Sequence, residues 1–208
     1  LNGENYYVEA VADGIDEYYR GVGEAPGRWT GTAAPGLGLD GEVEPDDLHA
    51  VWSGLDPGST EPLGRFRGRE IAGFDLTFKA PKSVSLLAAF GDPDTAAHVR
   101  NAHEAAVDAA FDYLERHAAW SRTGHNGVNR IEVNGLIAAA FRHRTSRLGD
   151  PHLHTHVLAA NMAESVDGKW RTLDWRAVYL HSTAAGYLYE AQVRHALTAR
   201  LGVEWGPV

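Results

Sequence analysis

One alternating run constrains this chain more than any other feature: Asp150-Pro-His-Leu-His-Thr-His-Val-Leu158, preceded by Phe141-Arg-His-Arg-Thr-Ser-Arg147. Side chains on a strand point alternately to opposite faces. On a strand, His152, His154 and His156 therefore share one face, while Leu153, Thr155 and Val157 share the other. The stretch reads as the end of one strand, a turn at Gly149-Asp150-Pro151, and the start of a second. If the two strands pair as a hairpin, His143 folds back beside the others and up to four imidazoles occupy one patch of sheet. A lone histidine is usually a surface or satisfied core residue, and a polar strand face is the competing explanation here. Three alternate histidines with a fourth from the neighbouring strand favour metal binding, because neutral imidazole is the commonest ligand of borderline divalent metals. Three such ligands leave coordination positions open, as a working site requires.

Composition limits the chemistry. The 208 residues include no cysteine, so no disulfide framework, thiolate ligand or thiol nucleophile is available. That fits a reducing compartment, and the expected location is the cytoplasm. With 44% hydrophobic residues the chain can bury the core of one domain. No signal peptide is visible in these residues, and no apolar run approaches the roughly 20 residues a membrane span needs. The first residue is Leu1 rather than Met, so the sequence is expected to be trimmed at its start.

Net charge is −9, which on its face argues against a nucleic acid partner. The charge is unevenly spread. Residues 1–62 hold 13 of the 28 acids against Arg20 and Arg28, a balance of −11; residues 63–208 hold 15 acids and 17 bases, a balance of +2. The expected organisation is one domain over 1–208, with an acidic, loop-rich arm at 1–62 and the catalytic sheet with its covering helices at 63–208. Local basic clusters (Arg65/Arg67/Arg69, Lys79/Lys82, Arg142/Arg144/Arg147) keep a polyanionic partner open.

Taken in order, residues 4–20 place Tyr7, Val11, Ile15 and Tyr18 at helical spacing and predict a helix ending near Gly21. It carries two tyrosine pairs, Tyr6-Tyr7 and Tyr18-Tyr19. Adjacent residues on a helix diverge, so the pairs cannot all serve one buried stripe. Residues 21–64 are rich in Gly and Pro and predict loops, with one helix over 44–54. A strand is predicted over 70–79, with Asp75, Thr77 and Lys79 on its polar face. Helices follow over 83–90 and 94–119, then a strand over 129–142 with a bulge at Gly135. The histidine strand runs over 152–162, and Asp167-Gly168 signals a two-residue hairpin into 169–173. Asp174 is a candidate N-cap for a last helix reaching Arg200, and Val203–Trp205 reads as the start of another strand. The pattern predicts an α+β fold: a central antiparallel β-sheet, helices on one face, and a polar, metal-bearing face holding the histidines and Asp75.

These residues resemble a known family. Phe141-Arg-His-Arg-Thr-Ser-Arg with Asp150-Pro-His-Leu-His-Thr-His is similar to the three-histidine motif of conjugative relaxases of the TrwC/TraI (MobF) type, within the HUH endonuclease superfamily. Gly73-Phe-Asp-Leu-Thr-Phe-Lys-Ala-Pro-Lys-Ser-Val-Ser85 resembles the family's second motif, and Tyr6-Tyr7 with Tyr18-Tyr19 its N-terminal tyrosine motif. The motifs occur in the family's order and span nearly the whole chain.

The resemblance implies an enzyme that nicks and joins single-stranded DNA at the transfer origin of a plasmid or conjugative element, through a 5′-phosphotyrosine intermediate. It implies Tyr6 as first nucleophile, Tyr7 as its nearest substitute, and Tyr18 or Tyr19 for a second transfer. His143, His154 and His156 match the metal ligands. Asp75 matches the acid that assists the tyrosine or orients a ligand histidine; Arg147 and Lys82 are phosphate contacts. The cofactor implied is a divalent metal ion, Mg or Mn in use, with Zn, Ni or Co compatible with imidazole ligands. The partners implied are single-stranded DNA, relaxosome accessory proteins and a helicase domain in the full-length protein; the chain is expected to act as a monomer with no membrane partner.

Three departures stand out. His152 occupies a position where the family more often carries Gln; a fourth ligand, a group behind the ligands and neutral variation are the options, the last favoured. The family usually has a strand ahead of the tyrosines. Its relaxase domains also run on beyond a position equivalent to Val208, with DNA-clasping segments. Other readings are a metal-binding single-stranded DNA-binding module without cleavage, and a three-histidine hydrolase of small phosphoesters.

Overall fold

A computed structural model describes residues 25–66 and 71–206. The predicted tyrosine helix over 4–20 lies outside the described residues. Among the described residues, eight strands and four α-helices follow one another: β1 (Arg28–Thr30), α1 (Pro45–Ser53), β2 (Gly73–Lys79), α2 (Lys82–Phe90), α3 (Pro93–Ala118), β3 (Trp120–Thr123), β4 (Asn129–Glu132), β5 (Ala138–Thr145), β6 (Pro151–Ala160), β7 (Ala163–Glu164), β8 (Trp170–Arg171) and α4 (Trp175–Leu201). The central sheet has the order β1-β5-β6-β2, with every neighbouring pair antiparallel. β3 with β4, and β7 with β8, form two small ribbons.

Both faces of the sheet are built from alternation. On one, Phe78, Ala138, Ala140, Leu153, Val157 and Ala159 are buried with Ala106, Ala110 and Phe111 of α3 and Ala185, Tyr189 and Val193 of α4. Alanines recurring every fourth residue on α3 (Ala102, Ala106, Ala110) let it approach closely. On the other face, Ile137, Ala139, Phe141, Leu158 and Ala160 meet Trp29 of β1 and Leu48, Val51 and Trp52 of α1 in a second core. The face that carries the histidines is thus polar only at one end. Each large side chain in these cores contributes about 1.5–3 kcal/mol by leaving water.

Several expectations are corrected. The strand over 129–142 is broken in two at Gly135, whose φ is +141°. A Cβ there would stand 2.1 Å from Thr32 Oγ1, so the backbone turns against Thr32 and passes from the β4 ribbon into the central sheet. Glu115 fastens that crossing by accepting the N–H groups of Thr32 at 2.9 Å and Leu136 at 2.6 Å. β1 sits inside the region read as loop, and β3 precedes β4 where no strand was expected. Asp174 is the N-cap residue of α4, as expected, but its side chain makes no capping hydrogen bond; the carboxylate is drawn to Arg122 Nε at 2.6 Å and Arg176 Nε at 3.2 Å. Those guanidinium groups lower its pKa against the upward push of burial. The turn at Asp167-Gly168 takes in three residues, because Ser165 N–H donates to Lys169 O and Gly168 N–H to Ser165 O. Val203–Trp205 forms no strand: Trp205 Nε1 donates to Thr198 Oγ1, which in turn donates to Val203 O. Among the described residues no helix is long and apolar enough to cross a membrane.

Candidate metal centre

The β5–β6 hairpin turns through Ser146–Asp150, with Ser146 N–H donating to Asp150 O and Gly149 taking φ +82°. Pro151 opens β6, where a missing N–H is tolerated. The register then decides which side chains meet. Phe141 faces His156 and His143 faces His154 across the hairpin. On the other flank of β6, Thr77 faces His156 and Lys79 faces His154. Directly opposed residues of antiparallel strands point to the same face. The surface therefore carries two rows across three strands: Phe141, His156, Thr77, and beside it His143, His154, Lys79.

His143, His154 and His156 form a near-equilateral triangle, with ring centroids 5.1, 5.3 and 5.0 Å apart. One nitrogen from each lies within 4.8 Å of the other two, and all three residues are buried. Two of the rings are oriented from behind. His156 Nδ1 donates to Asp75 Oδ2 at 2.7 Å, and His154 Nδ1 donates to the His152 carbonyl at 2.7 Å. A ring that donates through Nδ1 presents Nε2 as its ligand atom. Burial pushes the pKa of His154 down to about 4, helped by the neighbouring histidines and opposed by its bond to the His152 carbonyl. The imidazole is thus neutral at pH 7, the form that binds a metal. Triangle, burial, tautomers and protonation all suit a divalent cation.

The remaining predicted residues divide. Asp75 stands diagonally across from His156, and its second oxygen accepts from Thr77 Oγ1 at 3.2 Å. His152 is outside the triangle; its ring stands 4.8 Å from that of His154, and its carbonyl holds that residue. Lys82 opens α2 beside the start of β6 and donates from Nζ to the Pro151 carbonyl at 2.8 Å. Arg147 lies on the hairpin turn, exposed. Tyr6, Tyr7, Tyr18 and Tyr19 fall outside the described residues.

Sequence reasoning did not find what lies behind the triangle. His103 of α3 is fully buried between Thr155 Oγ1 (2.8 Å) and Tyr189 OH (2.7 Å), which ties α3, β6 and α4 together. Burial first, then the charge of Arg142, pushes its pKa down to about 3. The only signal for it in the sequence is a histidine in the middle of an alanine-rich helix.

Comparison with known proteins gives one consistent result. A family model described as TrwC relaxase matches residues 1–208. The multifunctional conjugation protein TraI of Escherichia coli is 35% identical over 213 residues, covering 96% of this chain and 11% of that protein. The chain thus spans about a tenth of the length of the curated relatives it matches. A metal-bound conjugative relaxase TrwC in complex with oriT DNA superposes with a TM-score of 0.80 at 33% identity, over 94% of this chain and 68% of that one. A copper-bound TrwC–oriT complex gives 0.78 at 34% identity, over 95% and 68%. TrwC with a 27-mer DNA comprising the recognition hairpin and the cleavage site gives 0.77 at 31% identity, over 97% and 69%.

Proposed function

The chain belongs to the TrwC relaxase family, and from that premise we propose that it nicks and rejoins single-stranded DNA at the transfer origin of a plasmid or conjugative element. The observation that carries the proposal is the triangle of His143, His154 and His156 with Asp75 bonded to His156. His143, His154 and His156 would hold a divalent cation, which would offset the charge that builds on a scissile phosphate. On this reading Mg²⁺ or Mn²⁺ is the working ion by availability, although three imidazoles bind Zn, Ni or Co more strongly.

The covalent step uses a phenol. Tyr6 attacks phosphorus, the bond to the 3′-oxygen breaks, and the 5′-phosphate stays on the tyrosine. A phenol has a pKa near 10, so a base must take its proton while the departing 3′-oxygen acquires one. The ester conserves bond energy, so rejoining needs no nucleotide cofactor. Tyr7 is the nearest substitute, and Tyr18 or Tyr19 serves a second transfer. Asp75 holds His156 through Oδ2, and its other oxygen, which accepts from Thr77 Oγ1 at 3.2 Å, keeps a lone pair for the phenol proton. Arg147 contacts backbone phosphates and Lys82 shapes the start of β6 beside them. The chain works as a monomer in the cytoplasm, with relaxosome accessory proteins as partners.

The test is mass spectrometry of peptides after incubation with cognate single-stranded DNA and Mn²⁺. A nucleotide-bearing tyrosine peptide from residues 1–24, lost on replacing the tyrosine concerned with Phe, supports the mechanism. DNA and metal binding with neither cleavage nor adduct would make the chain a binding module.

A further inference from the structure

The row that carries His143 and His154 does not end at the histidines. Lys79 faces His154 across the β2–β6 pair, on the same surface, on the outermost strand of the sheet among the described residues. Its neighbours on that face are Thr77 on its own strand, His154 directly opposite, and His152 and His156 on the diagonals. Phe78 turns the other way into the core, which fixes Lys79 outward. Lys79 is exposed, and among the described residues its ammonium has no hydrogen bond or ion pair. Lys82, by contrast, donates to Pro151 O.

A cation placed beside a dicationic metal site weakens metal binding, so it needs a reason to be there. An anion bound to the metal supplies one. Directly opposed side chains start about 5 Å apart at Cβ, and lysine's flexible stem reaches past a neighbouring imidazole. We propose that Lys79 is the second electrophile of the site: its ammonium hydrogen-bonds a non-bridging oxygen of the phosphate that the three-histidine metal holds. It donates hydrogen bonds and transfers no proton. As the P–O bond to tyrosine forms and the P–O3′ bond breaks, it offsets charge that the metal alone shares. This role deepens the relaxase reading and rests on it for the substrate, but not for the binding of phosphate itself.

The test uses the 208-residue chain loaded with Mn²⁺, comparing wild type with K79M and K79R. Calorimetry with inorganic phosphate is the first readout and requires no cleavage. K79M is expected to bind phosphate at least about tenfold more weakly than wild type. It is expected to bind Mn²⁺ as tightly or more tightly, with K79R restoring phosphate affinity. Single-turnover nicking of cognate DNA is the second readout, with a loss of about 100-fold expected in K79M. Equal phosphate affinity in wild type and K79M overturns the proposal; Lys79 would then be a charge on that outermost strand that discourages pairing with another chain. A phosphate difference without nicking by any variant upholds the Lys79 site and fails the relaxase reading instead.

Discussion

Asp75 Oδ2 lies 2.7 Å from His156 Nδ1, and that bond selects the nitrogen His156 turns towards His143 and His154. Asp75 comes from β2 and His156 from its neighbour β6, so the tautomer of a ligand is set across a strand pair.

Replacing Asp75 with Ala should therefore weaken metal binding by about 10–100-fold, the usual cost of losing a ligand's orienting partner. Calorimetry with Mn²⁺ measures it. Asp75→Asn keeps an acceptor for Nδ1–H and should lose less affinity. If Asp75 acts by orientation, the pH profile of nicking keeps its shape in Asp75→Asn. A rate deficit that shrinks at high pH would instead assign Asp75 the tyrosine proton.

The pKa of His103 gives a pH prediction with a definite sign. The folded value of about 3 lies below the ordinary 6.5, so the unfolded chain binds the proton first as pH falls. Stability from this group is complete above about pH 6.5 and is lost progressively between there and about pH 3. Lowering the pH from 7 to 5 costs about 2 kcal/mol through His103. His154 adds to the loss in metal-free protein, because its pKa is also depressed. Urea unfolding of wild type and His103→Gln at the two pH values isolates the His103 share. The variant should be less stable at pH 7 but lose about 2 kcal/mol less on acidification.

Gly135 is irreplaceable for a reason of space and of backbone angle. An alanine Cβ would meet Thr32 Oγ1 at 2.1 Å and Ala33 N at 2.8 Å, at a φ of +141°. Gly135→Ala should destabilise by about 2 kcal/mol or more. It should also loosen β5, since the entry of that strand into the sheet depends on the turn. Chemical denaturation and amide exchange at Ala138–Ala140 measure the two effects.

The site was legible in the sequence where it is local. His152 to Val157 alternate with period two, so their shared face follows from strand geometry alone. Asp75 stood out as a carboxylate between Phe74 and Leu76. The helices over 45–53, 82–90, 93–118 and 175–201 fell within a residue or so of their expected limits. What stayed hidden is non-local. β1 is three residues in a Gly- and Pro-rich region, and its pairing with Ala138–Ala140, joined by a bridge from Arg28 to Glu42, makes it a strand. The register that puts Lys79 opposite His154 depends on two segments far apart in sequence. Asp174 shows a tertiary contact defeating a local rule: the ion pair with Arg122 took the carboxylate that a helix N-terminus would otherwise have used.

A metal-centred tyrosine mechanism is tested by cleavage, with wild type and His154→Ala, of transfer-origin single-stranded DNA carrying a label on either side of the nick. Each reaction is run with Mn²⁺ and with EDTA on a denaturing protein gel. Label from the 3′ side of the nick is expected to travel with wild-type protein in Mn²⁺ only, and with His154→Ala in neither condition. Full adduct formation in EDTA, or by His154→Ala after metal removal, would contradict a metal-centred tyrosine mechanism.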